Sequence, residues 1–194
     1  MQSLIAAAGF IAAGAITPGP NNLLVMRAAA GGGTRKALPA IAAIVLGSLS
    51  LLALVSAGGG ALFERFPVVR TTVTLAGALF LGWLGLRLAL CASGEARDRA
   101  VPVRAANVFA LQFLNPKGWV MVLTAVAAVQ ADMSAVAVFA WLAMLFIAIL
   151  PASLLVWSSF GTRLAKYLAR PRFSHWFDRS MGGLLVTCAM LLFL

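Results

Sequence analysis

Charged residues are scarce in this chain, and acidic residues are the scarcest of them. Only 10% of the 194 residues are charged, with five acids against 15 bases, whereas a water-soluble domain carries about 25% charged residues. Hydrophobic residues make up 62% of the chain and the mean hydropathy is +1.00. The composition excludes an ordinary soluble domain and predicts an all-α polytopic membrane protein whose first partner is the lipid bilayer.

Metal ligands are equally few. The chain has one histidine, His175, and two cysteines, Cys91 and Cys188, which both lie in apolar runs without the spacing of a metal site. We therefore expect no metal and no cofactor. The first basic residue is Arg27, so the positively charged start of a cleavable signal peptide is not expected.

The chemistry of an enzyme is also lacking. The five acids fall in predicted loops or at their edges, and no phosphate-binding loop of the Walker type is present. We therefore predict that the chain is not an enzyme and does not hydrolyse ATP. The excess of basic residues lies between apolar runs and has no interleaved aromatic stripe, so a nucleic-acid partner is not expected.

Six apolar segments are long enough to be considered membrane helices, since a span takes about 20 residues. Their approximate bounds are 3–30, 37–62, 68–90, 105–129, 134–158 and 180–194. Pro151 predicts a kink in the fifth segment. The basic stretch 161–179 resembles an interfacial amphipathic segment, and the sixth helix is short unless residues 173–177 extend it.

The first segment is interrupted in its middle. Its break is expected over six residues: Thr17, Pro18, Gly19, Pro20, Asn21 and Asn22. Each proline lacks an amide donor, so carbonyl groups near residues 14–16 are expected to lose their helical partners. Because lipid cannot satisfy such groups, they must face protein or a polar cavity. A simple packing kink is the alternative; the functional interpretation offers the carbonyls to the ammonium group of a substrate.

The fourth segment has similar chemistry about half the chain further on. Its polar residues are Gln112, Asn115, Pro116 and Lys117. Asn115 is expected either to cap the half-helix after Pro116 or to contact a substrate, and Gln112 to line the same cavity. We predict that the two breaks face each other and form one substrate site.

Lys117 is the one charge expected deep in the membrane, where a lysine costs roughly 2.5–3.5 kcal/mol. It either snorkels or caps carbonyl groups, or it meets the carboxylate of a substrate. Gly47 and Ser48 in the second segment are either small residues of helix packing or site residues. Both questions stay open at the level of sequence.

An internal repeat is indicated by the spacing of the breaks and by the likeness of residues 76–81 to residues 181–186. We expect a single transmembrane domain, 1–194, with one three-helix repeat over about 1–92 and another over about 105–194. Because three is an odd number, the two repeats must run oppositely through the membrane. The site would lie between them.

Loop charge predicts the orientation. The loops after the first, third and fifth helices hold twelve of the 15 basic residues, namely Arg27, Arg35, Lys36, Arg87, Arg97, Arg99, Arg104, Arg163, Lys166, Arg170, Arg172 and Arg179. The positive-inside rule places these loops in the cytoplasm and both termini outside. The acids Glu64, Glu95, Asp98 and Asp132 are expected in solvated loops, and Asp178 is expected to pair locally with Arg179.

Four stretches of the chain resemble the LysE/RhtB family of bacterial amino-acid exporters. They are residues 10–24 (FIAAGAITPGPNNLL), 77–85 (GALFLGWLG), 109–119 (FALQFLNPKGW) and 177–186 (FDRSMGGLLV). The likeness extends over nearly the whole chain, and the TPGPNN and LNPKGW motifs are specific when taken together. One departure is that many members carry an acid after a glycine in the second helix, where Ser48 follows Gly47 here.

The resemblance implies a multi-pass protein of the bacterial inner membrane that exports an amino acid or a close derivative, driven by the proton gradient. A non-catalytic membrane channel or subunit is the alternative. The lack of a central acid favours a neutral or zwitterionic substrate over lysine or arginine. Assembly into a homo-oligomer stays open.

Overall fold

The computed structural model describes residues 2–59, 65–90, 104–129 and 133–191, and the regular structure in them is helical throughout. Eight α-helices follow one another in these residues: α1 Gln2–Ile16, α2 Pro20–Ala30, α3 Thr34–Leu54, α4 Pro67–Leu90, α5 Ala105–Leu114, α6 Pro116–Val129, α7 Ala135–Leu168 and α8 Pro171–Leu191. Helix α3 continues through Val55–Gly59 as a π-helical turn. The all-α prediction is confirmed over the described residues.

Two helices of the described chain are long and apolar enough to cross a membrane, Thr34–Gly59 and Ala135–Leu168. The pair Ser3–Ile16 and Pro20–Ala30 is a third candidate if the bent pair is one span. Shorter apolar helices cover Thr74–Arg87, Ala105–Leu114 and Pro116–Val129. These lengths and compositions fit a membrane protein.

Both predicted helix breaks are present. Helices α1 and α2 meet at 50° across Thr17–Gly19, which is not helical. Asn115 alone separates α5 from α6, with extended backbone at φ −90° and ψ 102°. Pro20 and Pro116 stand at the first position of the helix that follows, where a missing amide donor costs nothing.

Helix boundaries in the last third of the chain differ from the prediction. Helix α7 continues to Leu168 and passes Pro151 without ending, and α8 already begins at Pro171. The basic stretch 161–179 is therefore not a separate interfacial segment, because it is shared between these two helices. The residues after 158 hold no proline before Pro171, so nothing ends the hydrogen-bond ladder earlier.

The core lies where α3 and α7 pass the two broken helices. Ile11 of α1, Val122 of α6 and Phe146 of α7 are fully buried together in its largest apolar cluster. Helix α4 packs most extensively on α8, where Gly85 and Gly182 bring the two backbones into contact. The predicted loop charges Glu64, Glu95, Asp98 and Asp132 lie outside the described residues.

Candidate functional site

The two helix breaks are in direct contact. The ammonium group of Lys117, at the start of α6, donates a hydrogen bond of 2.5 Å to the carbonyl of Thr17 in the first break. The amides of Asn21 and Gln112 pair through two hydrogen bonds, at 2.8 and 3.1 Å. The prediction that the breaks face each other is confirmed.

Asn22 holds the first break in shape. Its side-chain amide donates to the carbonyls of Ala15 and Thr17, at 2.9 and 2.8 Å. Asn22 is buried, and it stands one turn into α2, so it ties the end of α1 to the start of the next helix. This one side chain replaces two of the amide donors that the proline-containing break removes.

Helix α7 supplies the remaining partners. The Ser153 hydroxyl donates to the carbonyl of Ala15 at 2.9 Å, and the Trp157 indole donates to the carbonyl of Ile16 at 3.3 Å. The prediction that carbonyls near residues 14–16 are open to a substrate ammonium group is therefore wrong for Ala15 and Ile16. The physical reason is that apolar surroundings make an unpaired carbonyl costly, so neighbouring side chains cover it.

The second break is shorter and is satisfied differently. The backbone carbonyl of Asn115 accepts from the amides of Gly118 and Trp119, at 2.9 and 3.2 Å, which starts α6. The Asn115 side chain does not cap the helix. Its Oδ1 is buried and has no hydrogen-bond partner among the described residues, although a buried acceptor of this kind costs about 1–3 kcal/mol when left unsatisfied.

A cavity lies between the breaks, with an empty space of about 440 Å³ that includes its open mouth. It is lined by Gly14, Ala15, Gly19, Pro20, Asn21, Asn22, Ile44, Ser48, Asn115, Lys117, Gly118, Met121, Leu150 and Leu154. We call this space the central cavity. One cation, several amide groups and an apolar wall therefore share one small volume, which is the composition of a small-molecule site.

Seven of the twelve predicted site residues line the central cavity: Gly19, Pro20, Asn21, Asn22, Ser48, Asn115 and Lys117. The other five support its walls. Thr17 contributes its carbonyl to Lys117 and Asn22, and Gln112 is buried against Asn21. Sequence reasoning placed Gln112 in the cavity, but its long side chain is used to join the two breaks.

Gly47, Pro18 and Pro116 also lie outside the central cavity. A Cβ on Gly47 would lie 2.5 Å from Cγ of Gln112, so this glycine permits α3 to pack closely against α5. Pro116 packs against Gly77 of α4, and Pro18 lines a second cavity on the far side of the first break. The packing interpretation of Gly47 is thus favoured, whereas Ser48 faces the site.

The charge of the central cavity is one-sided. Lys117 is its cation, and no acidic side chain lines it among the described residues. Ile44, Met121, Leu150 and Leu154 form its apolar wall. The sequence showed that these residues belong to apolar segments, but it did not show which faces of those segments meet at the breaks.

One buried ion pair was missed by sequence reasoning. Arg27 of α2 pairs with Asp178 of α8, whose side chain is 5% exposed. Asp178 also accepts from the Ser174 hydroxyl at 3.3 Å, and the Arg27 guanidinium lies 5.6 Å from the centre of the Phe177 ring. The expected local pairing of Asp178 with its neighbour in sequence is therefore wrong.

The reason is helical geometry. Arg179 follows Asp178 directly, and adjacent residues on a helix point about 100° apart. Arg179 is exposed and lies 3.5 Å from the ring of His175, one turn away. Arg27 is also not a loop residue, since it belongs to the last turn of α2. The sequence signal for this pair was the acid Asp178 among the apolar residues of α8.

Comparison with known proteins gives a family and several relatives. The family model described as LysE type translocator matches residues 12–194. The cysteine/O-acetylserine efflux protein of Salmonella paratyphi A (strain ATCC 9150 / SARB42) is 32% identical over 103 residues, 53% of this chain and 53% of that protein. The protein of the same name from Escherichia coli (strain K12) is 33% identical over 103 residues with the same coverage.

These alignments span about half the length of each relative, and no solved structure matches this chain. The family model, in contrast, covers almost the whole chain and includes both breaks. The chain belongs to the LysE type translocator family.

Proposed function

We propose that this protein is a secondary transporter that exports a small amino acid, or a close derivative, with an uncharged side chain across the bacterial inner membrane. The central cavity carries the proposal, because Lys117 and Asn115 both line it and no acidic side chain of the described residues does. Among those residues, the buried Oδ1 of Asn115 has no hydrogen-bond partner. Family membership supports amino-acid export.

The two charged ends of a zwitterion have matching groups in the cavity. Lys117 would exchange the Thr17 carbonyl for the carboxylate of the substrate, since a charged acceptor binds an ammonium group more strongly than a neutral carbonyl does. The substrate ammonium group would then donate to Oδ1 of Asn115 and satisfy a buried acceptor. Both contacts come from the second break.

The side chain of the substrate would lie on the apolar wall of Met121, Leu150 and Leu154. A cationic side chain would require a fixed carboxylate there, and burial of an unpaired charge is costly. The relatives are named cysteine/O-acetylserine efflux proteins, and both compounds are short and carry no net side-chain charge. We therefore expect short, neutral substrates.

For the membrane topology we propose six spans in two inverted repeats, each broken in its first helix. Gly77 of α4 lies against the second break, where an added Cβ would be 2.9 Å from the carbonyl of Leu114. Met181, its near-equivalent in α8, lies beside Pro18 and Gly19 of the first break. Each half thus covers the break of the other half, as expected for inverted repeats.

We further propose that the basic loops face the cytoplasm, as the positive-inside rule requires, and that the proton gradient drives export. Alternating access would expose the central cavity first to one side and then to the other. A channel would instead conduct without binding and exchanging its substrate, so the two functions differ in a measurable way.

Counterflow in proteoliposomes tests the proposal. Purified protein is reconstituted into vesicles loaded with unlabelled cysteine, O-acetylserine, threonine or leucine, and uptake of the same radiolabelled compound is followed. Uptake above the level of protein-free vesicles is expected for the neutral compounds and not for lysine or arginine. Equal leak of all solutes without exchange would indicate a channel, and preferential exchange of lysine or arginine would contradict the proposed substrate class.

A further inference from the structure

A second cavity lies behind the first break. It has an empty space of about 230 Å³, including its open side, and is lined by Pro18, Gly19, Asn22, Leu23, Trp157, Met181, Leu184 and Leu185. Gly19 and Asn22 line the central cavity as well. The two spaces therefore lie on either side of the first break, and we call the second one the side cavity.

The buried ion pair stands at the end of the side cavity. Arg27 follows Leu23 by one helical turn on α2, and Asp178 precedes Met181 by about one turn on α8. One turn advances about 5.4 Å along a helix axis. Both partners consequently lie just beyond the cavity, on the side where α2 ends and α8 begins.

Further contacts close the same end of the molecule. A Cβ on Gly161 of α7 would overlap the carbonyl of Met26, so α2 and α7 touch there with no space between their backbones. The hydroxyl of Ser158 donates to the hydroxyl of Thr34 at 2.9 Å, which joins α7 to the start of α3. Between α2 and α8 the ion pair stands beside an apolar contact of Leu23 and Met26 with Leu185, whereas α2 and α7 touch through their backbones.

An ion pair can be opened by removing the charge of one partner, whereas a contact between two backbones has no such charge to remove. Removing the charge of one partner leaves the other unpaired in largely apolar surroundings, which favours separation of the helices. Helix α8 packs mainly on α4, through Gly85 and Gly182. Movement of α4 and α8 together away from α2 would part the ion pair, the apolar contacts of Leu23 and Met26 with Leu185, and the lighter packing of α8 on α7.

We propose that the side cavity is the vestibule through which substrate reaches the central cavity from the basic end of the molecule, and that the Arg27–Asp178 pair is the latch that closes it. This inference rests on the proposed transport function and adds a path and a gate to it. In the closed latch α2 and α8 are held together; in the open latch the side cavity is continuous with the aqueous space at that end.

Thiol accessibility tests the latch without measuring transport. Cys91 and Cys188 are replaced by alanine, and Leu23→Cys places a reporter in the side cavity. In inside-out membrane vesicles, a membrane-impermeant maleimide should label this reporter at least about tenfold faster when Asp178→Asn is added. Arg179→Gln, which removes an exposed charge from the neighbouring position, is the matched control and should leave the rate unchanged.

A charge exchange protects the test against misfolding. The double change Arg27→Asp with Asp178→Arg should restore slow labelling, because it rebuilds the pair with opposite polarity. Equal labelling rates in the parent and Asp178→Asn proteins, both eluting as one sharp peak in detergent, would overturn the latch. Fast labelling that persists in the exchanged protein would also count against it, since it would mean that any change at these positions loosens the helices.

Cross-linking provides the second arm. With Arg27→Cys and Asp178→Cys, a short, reducible bis-thiosulfonate reagent should join α2 to α8 and stop counterflow, and reduction should restore it. Undiminished counterflow in fully cross-linked protein would overturn the inference. The arms fail separately: changed labelling with no amino-acid exchange would refute the proposed function and keep the latch, whereas normal exchange with unchanged labelling would refute the latch alone.

Discussion

The two helix breaks differ in how much of their polar backbone is already used. In the first break, the carbonyls of Ala15, Ile16 and Thr17 all accept hydrogen bonds from side chains. The second break spans one residue, Asn115, and leaves that residue's Oδ1 buried without a partner in the described structure. The first break is thus a finished structural element, and the second retains unused binding capacity.

Because of this difference, the two helix breaks are expected to serve different functions although their composition is similar. The hydrogen bonds to the carbonyls of Ala15, Ile16 and Thr17 hold the first break in its closed shape, because each partner would have to be replaced if the backbone moved. This break lies between the central cavity and the side cavity. The second break provides the cation and the free acceptor that a zwitterion needs, so substrate recognition is expected there.

The largest loss of transport is expected when the cation beside the second break, Lys117, is removed. Lys117→Ala should lower amino-acid counterflow about a hundredfold, which corresponds to about 2.7 kcal/mol, because the substrate carboxylate loses its charged partner. Lys117→Arg should keep part of the activity, since it retains the charge with a larger head group.

The control for this pair is Lys166→Ala, which removes an exposed cation near the end of α7. It should transport normally at equal membrane abundance. Full counterflow in Lys117→Ala would show that the lysine serves only to cap the Thr17 carbonyl.

A substitution in the first break should lower the stability of the protein and not its affinity for substrate. Asn22→Ala removes the donor to two carbonyls, although Ser153 and Lys117 still reach one each. We expect a loss of about 2 kcal/mol in the free energy of unfolding, at about 1 kcal/mol for each hydrogen bond, measured by denaturant titration in mixed micelles. Asn107→Ala, at an exposed position of α5, should change it by less than about 0.5 kcal/mol.

Neighbouring positions on α3 can sharpen the distinction between packing and binding. Gly47→Ala should destabilise the protein by about 1–3 kcal/mol, because its Cβ would overlap the Gln112 side chain that joins the breaks. Ser48→Ala should leave thermal stability nearly unchanged and raise the apparent KM for counterflow by about threefold to tenfold, the effect of one hydrogen bond. If Ser48→Ala lowered stability and Gly47→Ala raised the KM instead, Ser48 would be the packing residue and Gly47 the binding residue.

The smallest effect is expected at the long hydrogen bond from α7. Trp157→Phe leaves the Ile16 carbonyl without its indole donor and should cost about 0.6 kcal/mol, the average of measured hydrogen bonds between membrane helices. Thermal unfolding followed by size-exclusion chromatography would detect it against Trp141→Phe, an exposed position on the same helix. A loss larger than that of Asn22→Ala would mean that α7, and not Asn22, holds the break.

Features set by local chemistry were predictable from the sequence. Pro18, Pro20 and Pro116 lack amide donors and lie beside polar residues, which predicted the two breaks. A missing donor alone is not sufficient, because α7 continues through Pro151. Lys117 was recognisable from the sequence as a charge within an apolar run, and in the structure it is half-buried. The ends of α7 and α8 were not predictable from hydropathy, since a polar, basic stretch can continue a helix as well as end it.

Contacts between distant positions were beyond sequence reasoning. The pairing of Asn21 with Gln112 joins residues 91 positions apart, and Arg27 and Asp178 lie still further apart along the chain. Many pairings of polar residues satisfy the same composition, and only the packing of the helices selects one. Two donors to the carbonyls of the first break, Ser153 and Trp157, come from α7. The sequence does not distinguish these two residues from others in the same helix.

By itself, the sequence determined that the protein is helical and apolar and that two of its apolar segments are interrupted by proline, because proline and side-chain hydrophobicity act locally. Only the tertiary structure decided which polar groups are consumed in holding the breaks together and which remain for a ligand. The physical reason is that each buried donor must find its acceptor across helices, and the order of residues along the chain does not say which helix faces which.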